Sequence, residues 1–271
     1  MSGRIIRLQT GAARVKHFQL HGARNNVSRL YQLVFTRRWS QWIPIYSWLV
    51  EWNDQSILID TGVTADIYNS GYLPSGGLYH KAVETRIDKN QEINYQLANK
   101  GFQLEDIQTI ILTHLHGDHI GGIKYFPNAQ FYVSRTEYEV ATSKKGPGSG
   151  YFSKNWPEWF QPNLIDYNKD KEGSFEESYQ LDDDRNIIIV PTPGHSAGHQ
   201  SVILKTGSGT YFIGGDLTFN NQTLKNKIPN TLLMNKDAQR SVNQASEYVI
   251  ENKATYLSSH DQLTEESISI D

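Results

Sequence analysis

Short apolar runs rich in β-branched residues recur along the chain, and each ends in a polar cluster with glycine or proline. "SILIDTG" passes through Asp60, "TIILTHLHGDH" runs into a histidine cluster, "IIIVPTPGH" ends at His195, "TYFIGGD" at Asp216, and "ATYLSSHD" carries His260. Runs of this length bounded by turn residues predict buried strands. A further strand is predicted within "RRWSQWIPIYSWLVEW", with Tyr46, Trp48, Val50 and Trp52 on one face. Two stretches change period. "KNQEINYQLANKG" carries Ile93 and Leu97 four apart with Gly101 as a stop. "NKDAQRSVNQASEYVIENK" spaces Ala238, Val242, Ala245 and Val249 at helical intervals behind Asn235 and Asp237, which suit an N-terminal cap. Helices interleaved with such strands predict an α/β fold whose chemistry collects where strands end and loops converge.

Three segments read as long loops: 69–88, 143–163 and 166–186. Loops of this length tend to be functional or mobile. The aromatic 151–160 piece is a lid candidate, and "NKDKEGSFEES" reads as solvent-exposed. No linker divides the chain, so residues 1–271 are expected to form a single domain.

Composition narrows the function. With 38% hydrophobic and 20% charged residues the chain suits an ordinary globular protein. A formal charge of −3 argues against a surface built to neutralise phosphates, so no nucleic-acid partner is expected. The absence of cysteine excludes disulfides, thiolate nucleophiles and thiolate metal ligands. The opening "MSGRIIRLQTGAARVK" has no signal-peptide core, and no stretch approaches a membrane span. A cytoplasmic location is the expectation.

The chemistry concentrates in "ILTHLHGDHIGG", which holds three of the nine histidines. His114 and His116 are two apart, so at a strand end both rings can point one way. Asp118 and His119 follow Gly117, where the chain can turn. Four donors so closely spaced are hard to wrap around one ion and easier to divide between two. His195 can complete the set of His114 and His116, His260 that of Asp118 and His119, and Asp216 can bridge both. Imidazole and carboxylate donors suit zinc and also accept cobalt, iron or manganese. Asp60 can orient a liganding imidazole through its other N–H. His199 reads as a supporting or packing residue, while His17, His21 and His80 read as ordinary surface or core histidines.

Taken together, "HLHGDH", "TPGHSAGHQS", "GGD" and "SSHD", in this order, resemble the metallo-β-lactamase superfamily. The resemblance implies an αββα sandwich with a two-metal site at one edge of the sheets. It is strongest to the N-acyl-homoserine lactone lactonases, through "SRTEYEVA" at 134–141 and "TPGHSAGHQSV" at 192–202. The β-lactamase branch typically uses a cysteine ligand, the flavo-diiron branch a glutamate where His116 stands, and the nucleases a further domain. Carried over, the resemblance places His114, His116 and His195 on one zinc, Asp118, His119 and His260 on the other, and Asp216 between them.

That family's reaction implies a hydroxide held between the metals that opens a lactone ring, with Asp118 passing the proton to the leaving alkoxide. Some members carry a substrate-contacting tyrosine where this chain has Phe219. Phe219, Trp42 and Trp39 are candidates to contact the acyl chain, whereas Trp48 and Trp52 read as core. A glyoxalase II-like thioester hydrolase and a non-catalytic metal protein that sequesters acyl lactones are the alternatives. A homodimer is compatible with this reading.

Overall fold

The computed structural model describes residues 3–21, 25–52, 55–73, 79–262 and 265–271. Part of the 69–88 loop, residues 74–78, and the side chain of His80 lie outside the described residues. One sheet draws on β1 (Gly3–Val15), β2 (Ile43–Trp52), β3 (Gln55–Ile59), β4 (Val83–Arg86), β5 (Thr109–Ile111), β6 (Gln130–Ser134) and β7 (Asn163–Ile165). A second is built from β8 (Tyr179–Gln180), β9 (Ile187–Pro191), β10 (Gln200–Thr206), β11 (Gly209–Gly215) and β12 (Thr255–Ser258). The last strand, β13 (Ser267–Ile270), returns to the first sheet. Their orders are β13-β1-β2-β3-β5-β6-β7, with β4 paired onto β1, and β12-β11-β10-β9-β8. The helices are α1 (His17–His21), α2 (Asn26–Phe35), α3 (Tyr79–Ala82), α4 (Ile93–Asn99), α5 (Gly117–Ile120), α6 (Arg135–Thr142), α7 (Asn221–Lys225) and α8 (Lys236–Glu251).

The apolar runs lack polar alternation because many strands are covered on both faces. Ile187, Ile189, Val202, Leu204 and Ile213 meet Trp48, Val50, Ile57, Ile59 and Ile111 between the sheets. Their neighbours Ile188, Val190, Ile203 and Phe212 point outward against Val242, Ala245 and Tyr248 of α8. On the opposite outer face Leu49, Leu58 and Ile110 pack against Ile93 and Leu97 of α4 and Ala141 of α6. The layers are helix, sheet, sheet, helix: an αββα sandwich, as the motifs implied. The predicted helices form at α4 and α8, where Asn235 accepts a bond from Ala238 N (2.7 Å).

Two expectations about the loops need correcting. The "NKDKEGSFEES" segment is not wholly exposed. Phe175 is only 1% exposed against Phe212 and Tyr248, and burying such a ring contributes roughly 1.5–3 kcal/mol. Glu172 is buried beside it, where Tyr248 Oη (2.9 Å) and Lys205 Nζ (2.7 Å) donate to its carboxylate. The charges dominated the sequence and hid one aromatic anchor. Likewise the 151–160 piece is no free lid: Tyr151, Phe152 and Phe160 are buried, and Tyr151 and Phe160 join the core beneath α4 and α6.

Strand register decides what meets at the sheet edge. β3 pairs β5 in parallel with Ile59 opposite Ile111, so Asp60 and the 112–116 loop emerge side by side. β11 pairs β12 in parallel with Gly215 opposite Ser258, so Asp216 and His260 emerge together. Buried Gln200 links the two sheets there: its backbone N–H donates to Thr113 O and its Nε2 to Leu112 O, both at 2.9 Å.

Candidate metal centre

His114 and His116 leave β5 in the loop before α5, whose short turn carries Asp118 and His119. His195 lies between β9 and β10, Asp216 directly follows β11, and His260 follows β12. These seven residues form three overlapping groups: His114, His116 and His195; His114, His119 and Asp216; Asp118, His119 and His260. Within each group the donor atoms lie within 4.8 Å of one another. Every group combines donors from both sheets. Asp216 is central, its Oδ1 lying 3.0 Å from His260 Nε2 and 3.3 Å from His119 Nε2, its Oδ2 3.4 Å from His195 Nε2.

The outward nitrogen of each imidazole is engaged, which fixes the one left to face the centre. His119 Nδ1 donates to Asp60 Oδ2 (2.8 Å), His195 Nδ1 to Asn230 O (2.7 Å) and His260 Nδ1 to Pro44 O (2.8 Å). His116 is turned the other way, donating from Nε2 to Ser149 O (3.1 Å) with Nδ1 3.0 Å from His195 Nε2. Thr113 Oγ1 donates to Asp60 Oδ2 (2.8 Å), leaving its lone pair for His114 Nδ1 (3.1 Å). The inward atoms His114 Nε2, His119 Nε2 and Asp216 Oδ1 are buried without a hydrogen-bond partner. Unpartnered buried lone pairs are costly, and here they converge. A divalent metal satisfies them all, so the donor set fits one.

The electrostatics divide the cluster. Burial, reinforced by neighbouring imidazoles, holds His114 well below its usual pKa and His116 down to about 3. Burial opposes charge on His119 and His260 as well, yet there the carboxylates outweigh it. Asp216, Asp118 and Asp60 hold His119 well above the ordinary imidazole range, and Asp216 chiefly raises His260. Asp216 itself is kept well below the carboxylate range: burial is outweighed by His260, His119 and His195.

Backbone detail supports this geometry. Asp60 sits at φ 61°, a left-handed conformation uncommon outside glycine, and its buried carboxylate also accepts Thr113 N (2.8 Å). Gly215, at φ +54°, has no room for a side chain: a Cβ would lie 2.8 Å from Thr113 Cβ and 2.9 Å from His199 Nε2. His199 is not a donor to the cluster. Its Nε2 accepts Asp216 N (3.0 Å) and its Nδ1 faces Thr192 Oγ1 (2.9 Å).

Sequence reasoning missed three contributors. Buried Glu137 accepts Leu115 N (3.0 Å), Ser196 Oγ (2.9 Å) and Gly198 N (2.8 Å), tying the His114–His116 loop to the His195 loop. Asn230 gives its carbonyl to His195 and donates from Nδ2 to Asp216 Oδ2 (3.0 Å). Thr113 couples Asp60 to His114. Glu137 lies within "SRTEYEVA", which offered a resemblance but no role; Asn230 belongs to no motif.

The cluster opens into a cavity of about 240 Å³. Its polar end carries His116, Asp118, Asp216 and Asn230, and an apolar wall is formed by Ala13, Val15, Ile43, Ala82, Val83 and Leu232. Phe219 lines it and is also shared, with His260, by an adjoining hollow. Trp39 lines only that second hollow, under Lys16 Nζ, 3.9 Å from the ring centroid. Trp42 reaches neither; the guanidinium carbons of Arg14 and Arg86 lie 5.0 and 4.2 Å from its ring centroid.

Fold and donors together define a metal-binding αββα sandwich with its site at the sheet edge. The chain belongs to the metallo-beta-lactamase superfamily, whose sequence profile it matches over residues 41–260. An N-acyl homoserine lactonase of a Bacillus species is 29% identical over 220 residues, 81% of this chain and 82% of that protein. The N-acyl homoserine lactonase AttM of Rhizobium radiobacter is 32% identical over 182 residues, 65% of this chain and 66% of its own length. The solved structure of an N-acyl homoserine lactone hydrolase, with the product N-hexanoyl-L-homoserine at its catalytic metal center, superposes with a TM-score of 0.76. It is 23% identical, and the match covers 96% of this chain and 93% of that one.

Proposed function

We propose that the chain is a hydrolase that opens the lactone ring of N-acyl homoserine lactones, using two divalent cations, zinc foremost. The observation that carries the reading is the convergence of seven metal donors, three of them with a buried inward atom that has no hydrogen-bond partner, at the polar end of a cavity whose wall is apolar. The lactonase names of the relatives agree with it. His114, His116 and His195 would hold one ion, Asp118, His119 and His260 the other, with Asp216 shared. Bound cations supply Lewis acidity toward the ester carbonyl and lower the pKa of water toward neutrality.

The chain's own residues do the rest. Asp60, Asn230 O, Pro44 O and Ser149 O keep four imidazoles aimed inward, so the donors need little rearrangement. Asp118 both belongs to a donor group and lines the cavity, which supports a role in which its carboxylate takes the proton given up by the attacking water and passes it to the departing alkoxide. The apolar wall gives the acyl chain somewhere to go, with Phe219 at its border. No hydroxyl is available at Phe219 to bind substrate; Asn230, at the polar end, carries an uncharged amide that donates to Asp216 Oδ2.

Mass spectrometry of N-hexanoyl homoserine lactone incubated with metal-loaded protein, beside a chelator-stripped control, tests this. A metal-dependent gain of one water is expected. With labelled water, the heavy oxygen should enter the carboxylate. An intact lactone with metal bound, or label at the alcohol carbon, overturns the reading.

A further inference from the structure

α2 is folded inside out. Val27, Leu30, Tyr31, Val34 and Phe35 recur at the spacing of one helical stripe, yet they are 79%, 48%, 64%, 41% and 68% exposed. The protein-facing side buries Leu33 and, at 1% exposed, Arg29. Arg29 Nη1 donates to Thr231 O (2.6 Å) and its Nε has no hydrogen-bond partner. α8 shows the usual arrangement, burying Ala238, Val242, Ala245 and Tyr248. A helix that turns a cation inward and five large apolar side chains outward is shaped by something beyond its own chain.

We infer that the stripe is covered by a second copy of this chain, packed about a two-fold axis near Tyr31. A contact about such an axis must fit itself, and a straight apolar stripe does so when two helices cross antiparallel. The stripe carries no charge, so nothing repels at its centre. Tyr31 and Phe35, with ring centroids 5.0 Å apart, form an aromatic ridge of the kind that anchors interfaces. Leu233, 45% exposed, extends the patch, since Asn26 bonds both Met234 O (3.0 Å) and Met234 N (2.7 Å) beside it.

Area favours the same occupant. From ordinary side-chain areas, the stripe offers on the order of 600 Å² per copy, and two copies reach the lower bound for a specific interface. A lipid surface is the weaker match. Stable attachment of a short apolar face to an anionic bilayer calls for a cluster of about four to eight basic residues. Arg24 precedes α2 in the sequence, still short of such a cluster; Arg37 and Arg38 follow it as exposed cations, and the whole chain is at −3. In an antiparallel pair Arg37 and Arg38 fall at opposite ends of a helix about 15 Å long, on the rim of the contact.

The partner would sit over one wall of the cavity. Leu33 packs with Phe18, Ala82 and Leu232, and Arg29 holds Thr231, while Ala82, Thr231 and Leu232 all line the cavity. Covering α2 therefore steadies that wall. The pairing itself does not depend on the reaction proposed above.

Light scattering of the full chain between about 1 and 100 µM tests the pairing, because interfaces of this size commonly dissociate in the micromolar range. The expected mass rises to twice the 30.9 kDa of one chain. Tyr31→Glu combined with Phe35→Glu should leave the thermal melt of the monomer in place and shift dissociation upward at least tenfold. The chain has no cysteine, so Tyr31→Cys alone should give a covalent dimer under mild oxidation, whereas Lys225→Cys, exposed on α7, should not. A monomer throughout the range overturns the inference. So does a dimer that ignores both glutamates, or equal crosslinking at Lys225. A monomer that co-sediments with phosphatidylglycerol vesicles overturns it in favour of a lipid surface.

Discussion

The two halves of the metal centre use the same side chain to opposite ends. His114, His116 and His195 lean on neutral groups: a threonine hydroxyl and the carbonyls of Ser149 and Asn230. His119, in the other half, leans on the Asp60 carboxylate, and Asp118 stands beside it. Burial holds His114 and His116 down as bases; at His119 and His260 Asp216 outweighs it, helped at His119 by Asp118 and Asp60, even though His260 itself rests on the neutral Pro44 carbonyl. The difference teaches that a count of histidines says little about the charge a site will accept. The carboxylates make the second half the stronger seat for a cation, and Asp216 lets the first half share in that advantage.

Removing the shared carboxylate should break the comparison most severely. Asp216→Ala takes an acceptor from both halves and leaves imidazoles without a counter-charge. Metal content measured by mass spectrometry should fall below one ion per chain, and lactone hydrolysis by on the order of a thousandfold. Two ions retained in this variant would mean that the halves stand independently.

Asp60→Asn should separate the halves. The amide oxygen can still accept Thr113 N, but its NH₂ group would then oppose His119 Nδ1–H. Affinity at the second half should drop roughly 10- to 100-fold, and the first half, which Asp60 reaches only through Thr113 Oγ1, should weaken less, read from cobalt spectra during titration. Equal weakening of both would show that Asp60 acts through general packing instead.

Asn230→Leu probes the first half more gently, since the backbone carbonyl on His195 survives and only the Nδ2 bond to Asp216 is lost. A loss of about tenfold in metal affinity is expected, matching one hydrogen bond of roughly 1–2 kcal/mol. The smallest effect belongs to Trp42→Ala. Because Trp42 packs between Arg14 and Arg86 and away from the cavity, short and long acyl substrates should suffer alike, within about twofold. By contrast Ala13→Phe, on the apolar wall, should discriminate against long chains. A chain-length effect at Trp42 would move the acyl path to the second hollow.

Much of this was legible in the sequence because strand ends punctuate themselves. The runs ending near Asp60, His114, His195, Asp216 and His260 are short, apolar and closed by turn residues; parallel register brings Asp60 beside the His114 loop and Asp216 beside His260, while His195 follows a strand paired antiparallel to β10. What escaped was whatever depends on a partner distant in the chain. Glu137 looks like any helical glutamate until two loops close over it, and Asn230 occupies an unremarked stretch after Pro229. Phe175 was outvoted by the charges around it. The stripe on α2 is readable as helical spacing, but spacing tells which residues share a face and not whether that face turns inward. Trp39 and Trp42 drew attention as aromatics near Pro44, although cation contacts account for where they sit.

Every candidate donor group draws on loops from both sheets, and this makes an ion a rivet through the sandwich. Sliding or parting the layers would have to tear out its ligands, so loading should raise the melting temperature of the whole molecule and slow its opening. A cell short of metal would then lose more than turnover: the unriveted protein would open more often and be degraded sooner, so that the supply of a trace element would govern how long each copy lasts.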